Sequence, residues 1–352
     1  MIDRLAIIVV NYRDYARRYL PDCLASLRRQ TWRGKWELFI VDNESTAETF
    51  GYLATTAPEA RIIINRRNDG FAKGNNDGIR AARGAGYQHV VLLNLDTVVA
   101  EDWLATLLDA VPRAEQWGAI QSRLMLHPQT DVVNSLGNHL HYLGFGFSYG
   151  NGLSWPLAGY DRKIVEVPYA SGGAMLINLV AFDAVGGFDE AFWMYHDDLE
   201  LGWKMRLAGY RQYLAPRSVV YHKYQFVKSI KQYYWMERNR GIVLLTSYRW
   251  LTLFCLLPPL LIMEVGLLAF AFVQGYGTQK LKSYVWFIDP RHWPYVFRRR
   301  RQISRLRRVP DRAIAVWLTG RIEYQEIRNP LLAIVNPLFE LYWAVVRRLM
   351  IW

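Results

Sequence analysis

Apolar and polar residues alternate between two periodicities over the first hundred residues, one typical of strands and one typical of helices. LAIIVV, WELFIVD, RIIIN and HVVLLNLD are short β-rich runs, whereas YLPDCLASLRRQ and NNDGIRAARGAG carry apolar residues at helical spacing. This alternation predicts an α/β fold, Rossmann-like, with a mostly parallel central sheet and helices on both faces. At the carboxyl ends of the strands, where ligands gather, the sequence places Asn11, Asp42, Asn43, Asn65, Asn94 and Asp96.

The middle of the chain has a weaker pattern. EDWLATLLDAV, which starts at Glu101, predicts a helix, and residues 135–160 predict a long loop rich in glycine and aromatic residues. From Val167 onward a Gly-rich turn leads to a short helix, a second turn, an acidic helix start and a strand that ends at His222. We therefore predict one α/β domain over residues 1–225.

Residues 226–352 are more basic and apolar, and we predict a helical, membrane-associating region. The run from Trp250 to Val273 exceeds the roughly 20 residues that cross a bilayer, but Pro258 and Pro259 break it and Glu264 lies within it. A single crossing would place the cluster RRRRQISRLRR on the side of the membrane opposite the α/β domain, against the tendency of Lys and Arg to remain cytoplasmic.

We therefore expect helices that are peripheral, monotopic or re-entrant, with the arginines on anionic lipid head groups. A second apolar run, LLAIVNPLFELYWAVV, covers residues 331–346 and also contains a proline and a glutamate. The alternative, that both runs are core helices of a soluble second domain, stays open.

The charge distribution agrees with this division. Residues 275–352 hold fifteen Lys and Arg against five Asp and Glu, so ten of the twelve net positive charges lie there. The apolar run from Leu5 to Val10 is too short for a signal-peptide core, and Cys23 and Cys255 do not suggest a disulfide framework. We expect the α/β domain in the cytosol and the protein at the cytoplasmic face of the cell membrane.

The segment VVLLNLDTVV predicts a buried strand with two polar residues set into it. Asn94 and Asp96 are two residues apart, so in a strand both side chains leave on the same face. A carboxylate there can bind a divalent cation that in turn holds phosphate oxygens. The simpler alternative is that Asp96 caps the helix beginning near Glu101 or closes a turn with Thr97.

Two further segments carry candidate chemistry. NDGFAKGNNDGI places Gly70 and Gly74 ahead of a helix, where backbone N–H groups can approach phosphate or ribose, although it lacks the ending of a P-loop. Asp42, which closes WELFIVD, could accept a hydrogen bond from a base N–H.

The acidic segment YHDDLE begins a predicted helix. Asp197 as N-cap and Glu200 as the closing residue of a capping box would explain two of its carboxylates. Asp198 is left over, and beside the aromatic run FWMY it could act as a general base on a hydroxyl. Trp193 and Tyr195 could stack on a sugar or flank a lipid, and such aromatic residues are as often part of a core.

The segments in their order resemble family 2 glycosyltransferases of the GT-A fold, especially the bacterial rhamnosyltransferase-like members. The resemblance covers residues 5 to about 240 and rests on IIVVNY, VDNES, NDGFAKGNNDGI, LLNLDT, SGGAMLI, VGGFDEAFWMYHDDLEL and VVYH. It implies a nucleotide-sugar donor and a divalent cation, Mg²⁺ or Mn²⁺. The arginines of the tail lie among Trp, Phe and Leu runs and not in a recognised nucleic-acid motif, so we expect no nucleic acid partner.

By this resemblance NLD takes the place of the DxD motif, with Asn94 in place of the first aspartate. Asp96 would then hold the metal and the donor diphosphate, and His222 would be a second metal ligand. The resemblance assigns the remaining donor contacts to Asn11, Asp42, Asn43, Gly70, Phe71, Asn75 and Gly173.

The resemblance also makes Asp198 the catalytic base, with Asp197 in the place of a glutamate. It implies inversion by direct displacement on an acceptor that is a lipid-linked, polyprenyl-diphosphate-bearing molecule or another surface glycan, with dTDP-L-rhamnose as the leading donor. Two alternatives stay open: a sugar nucleotidyltransferase, and a non-catalytic nucleotide- or nucleic-acid-binding protein that uses the arginine-rich tail.

Overall fold

The computed structural model describes residues 2–113, 116–224, 232–324 and 331–352. Its strands are β1 Arg4–Tyr12, β2 Lys35–Asn43, β3 Arg61–Asn65, β4 His89–Leu93, β5 Thr97–Val99, β6 Trp117–Leu126, β7 Val133–Ser135, β8 Asn138–His141, β9 Gly146–Ser148, β10 Val165–Glu166, β11 Ala174–Asn178, β12 Arg211–His222 and β13 Leu318–Thr319. Its α-helices are α1 Tyr15–Arg28, α2 Ala47–Thr56, α3 Gly70–Gly84, α4 Trp103–Asp109, α5 Leu179–Ala184, α6 Asp197–Leu207, α7 Tyr233–Ser247, α8 Trp250–Val273, α9 Gly277–Ile288, α10 Trp293–Leu306, α11 Asp311–Ala315 and α12 Leu331–Leu349.

The central sheet has the strand order β10-β12-β6-β11-β4-β1-β2-β3, with β5 added to β12 and β7 to β6. The first four strands are parallel, and β11 runs antiparallel between β4 and β6. The carboxyl ends of β1 to β4 therefore meet at one edge of the sheet, as the sequence predicts.

Both faces of this sheet are buried because side chains alternate along each strand. Ile7 of β1 packs in one cluster with helices α1 and α4, whereas its neighbour Ile8 packs in another with α3, α5 and α6. The prediction of an α/β fold with helices on both faces is confirmed.

Three local predictions are wrong. VVLLNLDTVV is not one strand, because β4 ends at Leu93 and the chain turns through residues 94–96 before β5. Residues 135–160 are not a patternless loop, since they include β8 and β9 of a small second sheet. The Gly-rich turn does not lead directly to a short helix, because AMLIN between them is the internal strand β11, which pairs on both sides.

The C-terminal helices share a core with the α/β part of the chain. The rings of Tyr142 and Trp343 stack at 4.9 Å, and β13 adds a parallel strand to β8. Leu199 and Trp203 of α6 belong to the same buried cluster as Ile242 of α7. The predicted boundary between residues 225 and 226 lies outside the described residues.

Helix α8 runs unbroken through Pro258 and Pro259, contrary to the prediction that the prolines break it. Proline removes the N–H that would bond the carbonyl four residues earlier. For Pro259 that carbonyl belongs to Cys255, and it accepts a hydrogen bond from the Tyr342 hydroxyl of α12 at 2.6 Å. By length and composition, α8 is the one helix of the described residues that could cross a membrane.

One side of α8 is held against α7 and α9 by ion pairs. Glu264 pairs with Arg240 of α7 and with Lys280 of α9, which also pair with Glu237. The pairing explains an acidic residue inside an apolar run, because a charge is tolerated in such surroundings when it has a partner. The other side is exposed and apolar, with Phe254, Leu261, Ile262, Val265, Phe272 and Val273 among its residues.

Candidate active site

A cavity of about 1480 Å³ opens at the carboxyl edge of the parallel strands. Ten of the twelve predicted site residues line it: Asn43, Gly70, Phe71, Asn75, Asn94, Asp96, Gly173, Asp197, Asp198 and His222. Trp193 and Tyr195, the candidate acceptor contacts, line it as well. The NLD motif with Asp96 and the acidic segment with Asp197 and Asp198 thus line the same cavity.

Asp96 and His222 meet because β5 pairs with β12, which brings Thr97 opposite His222. His222 Nε2 lies 3.3 Å from Asp96 Oδ1, and the Tyr15 hydroxyl donates to Asp96 Oδ2 at 2.8 Å. Burial alone would raise the pKa of Asp96, but His222 and the Tyr15 hydroxyl outweigh it and lower that pKa below its usual range. The carboxylate is therefore held ionised.

These residues fit a divalent cation that completes its coordination with a bound diphosphate. His222 Nδ1 lies 2.9 Å from Asn134 Oδ1. With Nδ1–H donating to that oxygen, a bound cation would take the place of the Nε2 proton, so Nε2 and the Asp96 carboxylate would share the cation. Among the described residues no group of three or more His, Cys, Asp and Glu side chains could hold a metal, so a substrate would supply the other ligands.

Asn11 and Asp42 do not face the cavity. Both are fully buried, and Asn11 Nδ2 donates to Asp42 Oδ1 at 2.6 Å while Thr49 donates to Asp42 Oδ2 at 2.8 Å. Asn11 Oδ1 also accepts from the Ala16 amide at the start of α1. Their polar atoms are thus used within the fold, and their proposed contact with a nucleotide stays a prediction.

The first turn of α3, which begins at Gly70, contacts the loop that precedes the acidic helix; Gly74, predicted to lie ahead of the helix, lies within α3. Gly70 has φ +87°, and a Cβ atom there would lie 2.1 Å from the carbonyl oxygen of Trp193. The amide of Phe71 donates to that same oxygen at 2.6 Å. Glycine is therefore required by both the backbone conformation and the close approach.

The loop before α6 is strained. Trp193, Tyr195 and His196 all have φ near +60°, which non-glycine residues rarely adopt. Asn239 of α7 holds this loop, since its Nδ2 lies 2.8–2.9 Å from the carbonyl oxygens of Phe192, Met194 and Tyr195. Sequence reasoning missed Asn239 because a single asparagine within a helical stretch gives no signal.

Asp197 and Asp198 begin α6 with different surroundings. Burial raises the pKa of both carboxyl groups, and for Asp197 the charge of Asp198 raises it further. Asp198 accepts from the amides of Gly172 at 3.1 Å and Leu199 at 2.8 Å, which favour its ionised form, whereas Asp197 Oδ2 has no hydrogen-bond partner among the described residues. Asp197 therefore has the more strongly raised pKa, and Asp198, half-buried at the cavity, is the carboxyl group that ionises more readily.

The predicted capping box is wrong. His196, not Asp197, is the N-cap residue of α6, and its side chain makes no capping hydrogen bond. Glu200 instead pairs with Lys204 at 2.8 Å and with Arg299 of α10 at 2.6 Å. These buried partners neutralise Glu200, so Asp197 and Asp198 are the carboxyl groups of this segment that reach the cavity.

Trp193 is partly buried and its ring stacks on that of Trp235 of α7 at 5.0 Å. Tyr195 is also partly buried beside it. Each residue thus contributes to packing while part of its side chain stays open to the cavity, so both interpretations of these aromatic residues remain compatible with the fold.

Residues 6–183 match the sequence model of the family described as glycosyl transferase family 2. The N-acetylglucosaminyl-diphospho-decaprenol L-rhamnosyltransferase of Mycobacterium tuberculosis is 28% identical over 239 residues, which are 63% of this chain and 76% of that protein. The low-salt glycan biosynthesis hexosyltransferase Agl10 of Haloferax volcanii is 24% identical over 58% of this chain and 62% of its own length. The uncharacterized protein y4gI of Sinorhizobium fredii is 28% identical, and the match spans 62% of this chain but 24% of that protein.

Two solved structures have a similar fold. GalNAc-T7 with UDP, GalNAc and Mn²⁺ has a TM-score of 0.52 and 16% identity, over 69% of this chain and 48% of that one. TarS 1-349 of S. aureus in complex with UDP has a TM-score of 0.50 and 13% identity, over 98% of this chain and 90% of that one. At these identities the likeness concerns the fold alone, and it confirms the predicted GT-A architecture.

Proposed function

The chain belongs to glycosyl transferase family 2, and we propose that it transfers a sugar from a nucleotide-sugar donor to an acceptor hydroxyl, with inversion at the anomeric carbon. The observation that carries this proposal is that Asp96 and Asp198 line one cavity together with the glycine turn at Gly70. A diphosphate-holding end and a proton-accepting end within one cavity are what a direct displacement needs.

Asp198 is the general base of this reaction. Its carboxylate accepts the proton of the acceptor hydroxyl, the hydroxyl oxygen bonds to the anomeric carbon, and the bond from that carbon to the diphosphate oxygen breaks. Asp197, protonated and buried behind it, adds no second negative charge at the base. Attack opposite the leaving group inverts the configuration, and no covalent enzyme intermediate forms.

The donor end is built from groups that suit a nucleoside diphosphate. Asp96 and His222 would hold Mg²⁺ or Mn²⁺, which when bound offsets the charge of the leaving diphosphate. Asn43, Asn75 and Asn94 line the same end and offer amide groups to the nucleotide and sugar. Phe71 and Gly173 complete the predicted contacts to the donor.

For the substrates we propose dTDP-L-rhamnose as donor and a polyprenyl-diphosphate-linked glycan as acceptor. The support is the name of the M. tuberculosis relative, which transfers L-rhamnose to a decaprenol-diphosphate-linked sugar. UDP and GDP sugars are the competing donors.

The proposal is tested by screening nucleotide sugars for thermal stabilisation of the protein with Mn²⁺, since a ligand of the folded state raises its apparent stability. The stabilising donor is then assayed for hydrolysis and transfer. Donor turnover that is lost in Asp96→Ala supports the enzyme, and binding without any turnover supports the non-catalytic alternative. The arginine-rich tail gives the non-catalytic alternative little support, because two of its arginines, Arg299 and Arg307, form ion pairs inside the protein.

Asn239→Ala is expected to lower kcat by about 10–100-fold, because hydrogen bonds worth roughly 1–3 kcal/mol hold the strained loop before Asp198. Asn239→Asp is expected to be worse, since a carboxylate of the same shape would face three carbonyl oxygens. Steady-state kinetics should show the loss in kcat, with little change in KM for the donor.

Asn178→Ala is the matched control for this loop prediction. Its side chain also bonds backbone, donating to the Trp117 carbonyl and accepting from the Val180 amide, but it lies outside the cavity. Its kcat should stay close to that of the wild type. A normal kcat in Asn239→Ala would contradict the positioning role.

We further propose that the protein associates with the cytoplasmic face of the cell membrane without a full crossing. The exposed apolar side of α8 provides the surface, and α10 carries the exposed arginines Arg298, Arg301 and Arg305 at helical spacing. Arg300, on the same helix, packs its guanidinium over Trp250 at 3.8 Å, so α10 contacts the start of α8.

The triple change Arg298→Gln, Arg301→Gln and Arg305→Gln is expected to weaken binding to vesicles with anionic lipids by about 10²-fold, at roughly 1 kcal/mol per basic residue. Vesicle flotation of the full chain measures this. Binding to zwitterionic vesicles, which depends on the apolar surface, should hardly change. A wild-type protein that stays in the soluble fraction with both kinds of vesicle at low salt would contradict the membrane proposal.

A further inference from the structure

Part of the cavity lining is apolar and comes from the C-terminal helices. It includes Met263, Gly266 and Phe270 of α8 and Val335 and Phe339 of α12. We call the part of the cavity lined by these five residues the apolar arm. The helices on its two sides are joined by the hydrogen bond from the Tyr342 hydroxyl to the Cys255 carbonyl.

The apolar arm is continuous with the part of the cavity that contains Asp198. The segment of residues 141–147 connects the two parts: Phe145, Gly146 and Phe147 line the cavity as its wall, and the Gly144 carbonyl lies 3.2 Å from His196 Nε2, two residues before Asp198. At the other end of this wall the ring of His141 lies 6.2 Å from that of Phe339. A molecule whose hydroxyl reaches Asp198 can therefore extend into the arm, so the natural occupant is the acceptor itself.

Among the described residues, this part of the lining carries no unpaired charge. Away from the donor end and the acidic helix, Glu237 and Arg240 are the charged residues among the described lining residues, and they pair at 2.9 Å. Lys280 and Glu264 complete the neutral cluster. An apolar wall without free charge favours a hydrocarbon.

The arm is open to the outside along α8. Val265 and Val273 line the cavity although they are 72% and 82% exposed. They belong to the same exposed apolar side of α8 that we assign to the membrane surface. A long chain can therefore enter from that surface while its polar end stays at the carboxylates.

We propose that the apolar arm holds the isoprenoid chain of a polyprenyl-diphosphate-linked acceptor, with part of the chain against Gly266 and Phe270. This inference rests on the proposed transfer to a lipid-linked hydroxyl and adds the place where the lipid lies. It differs from general lipid contact, since the chain must belong to the molecule that presents its hydroxyl to Asp198.

Gly266 offers a sharp test. A Cβ atom built there has no heavy atom within 4 Å outside its own helix backbone, so Gly266→Trp can fill the arm without a backbone clash. The change also removes a glycine from a helix, which does not cost helix stability. Gly266→Ala and Leu261→Trp are the controls, because Leu261 is 64% exposed on the same helix and does not line the cavity.

The experiment measures binding of decaprenyl diphosphate and geranyl diphosphate to the full-length protein in detergent, without donor. The wild type, Gly266→Ala and Leu261→Trp are expected to bind the long chain at least about tenfold more tightly, as burial of further isoprene units would give. Gly266→Trp is expected to lose this preference and to bind the long chain about as weakly as the short one, and its thermal midpoint, compared with that of Leu261→Trp, checks that it is folded.

Three results would overturn the proposal: no chain-length preference in the wild type, an unchanged preference in Gly266→Trp, or equal competition by phosphatidylcholine. Failure of the proposed function looks different. In that case no nucleotide sugar is turned over. The chain-length preference is measured by binding without donor, so its presence or absence does not depend on turnover.

Discussion

Asp198→Asn is expected to lower the rate of sugar transfer by about 10²–10⁴-fold, the usual contribution of a general base. The amide keeps the size of the side chain and can still accept from one of the two backbone amides that hold Asp198, but it cannot take a proton. Donor affinity should be nearly unchanged, because the donor end of the cavity lies around Asp96. Single-turnover transfer and donor binding by calorimetry measure the two quantities separately.

The pH dependence of the wild type gives a second measure of the same residue. Transfer needs the ionised carboxylate, and burial raises the pKa of Asp198. Activity should therefore be present above this raised pKa and be lost as the pH falls through it, at a pH higher than an ordinary aspartate with a pKa of about 3.9 would give. The acid limb should be absent from the residual activity of Asp198→Asn.

Asp197→Asn is the matched control, since the two carboxyl groups are adjacent. Asparagine imitates a protonated aspartate, so the loss of activity should be about tenfold or less. At pH 7 the thermal midpoint should rise, because a carboxyl group with a pKa raised by folding opposes folding above its unfolded pKa, and the gain should disappear at acid pH. A larger loss of activity in Asp197→Asn than in Asp198→Asn would reverse the assignment of the base.

Asp96→Asn is expected to lower kcat/KM by roughly 10²–10³-fold, since stabilising a leaving diphosphate is worth several kcal/mol. The amide is a poorer ligand for a divalent cation than the carboxylate it replaces. Calorimetry of a nucleoside diphosphate with and without Mn²⁺ should show that the Mn²⁺-dependent part of the affinity is lost in the variant.

Tyr15→Phe tests the hydrogen bond that supports Asp96 separately from the Asp96 carboxylate itself. It removes the 2.8 Å hydrogen bond to Asp96 Oδ2 but keeps the carboxylate, and loss of such a supporting contact typically costs 10–100-fold in metal affinity or activity. Nucleoside diphosphate affinity that is the same in EDTA and in Mn²⁺ would show that Asp96 acts without a cation.

The sequence predicts the α/β core well because that core repeats a simple physical pattern. β1 to β3 are short apolar runs closed by polar residues, and both faces of the sheet must be covered. Asp96, Asp198 and His222 were placed in one site through the resemblance of seven segments, and the pairing of β5 with β12 accounts for the contact between Asp96 and His222.

What the sequence fails to predict depends on contacts between distant residues. The chain turns after Leu93 because the Asn94 amide donates to the Gly173 carbonyl and the Thr97 hydroxyl donates to the Asn94 carbonyl. No local pattern marks the first of these bonds. Asn134, which orients His222, and Asn239, which holds the loop before Asp198, are single asparagines whose partners lie 88 and up to 47 residues away.

The shared core of the two halves has a geometric consequence. Since β13 extends the small sheet through β8 and Trp343 stacks on Tyr142, the last hundred residues are not a detachable anchor on a flexible tether. A membrane surface in contact with α8 would therefore lie at one tilt and one height relative to the carboxylates of Asp96 and Asp198. A substrate confined to that plane would meet the catalytic groups at a set depth, so reach, as well as chemistry, would select which hydroxyl is glycosylated.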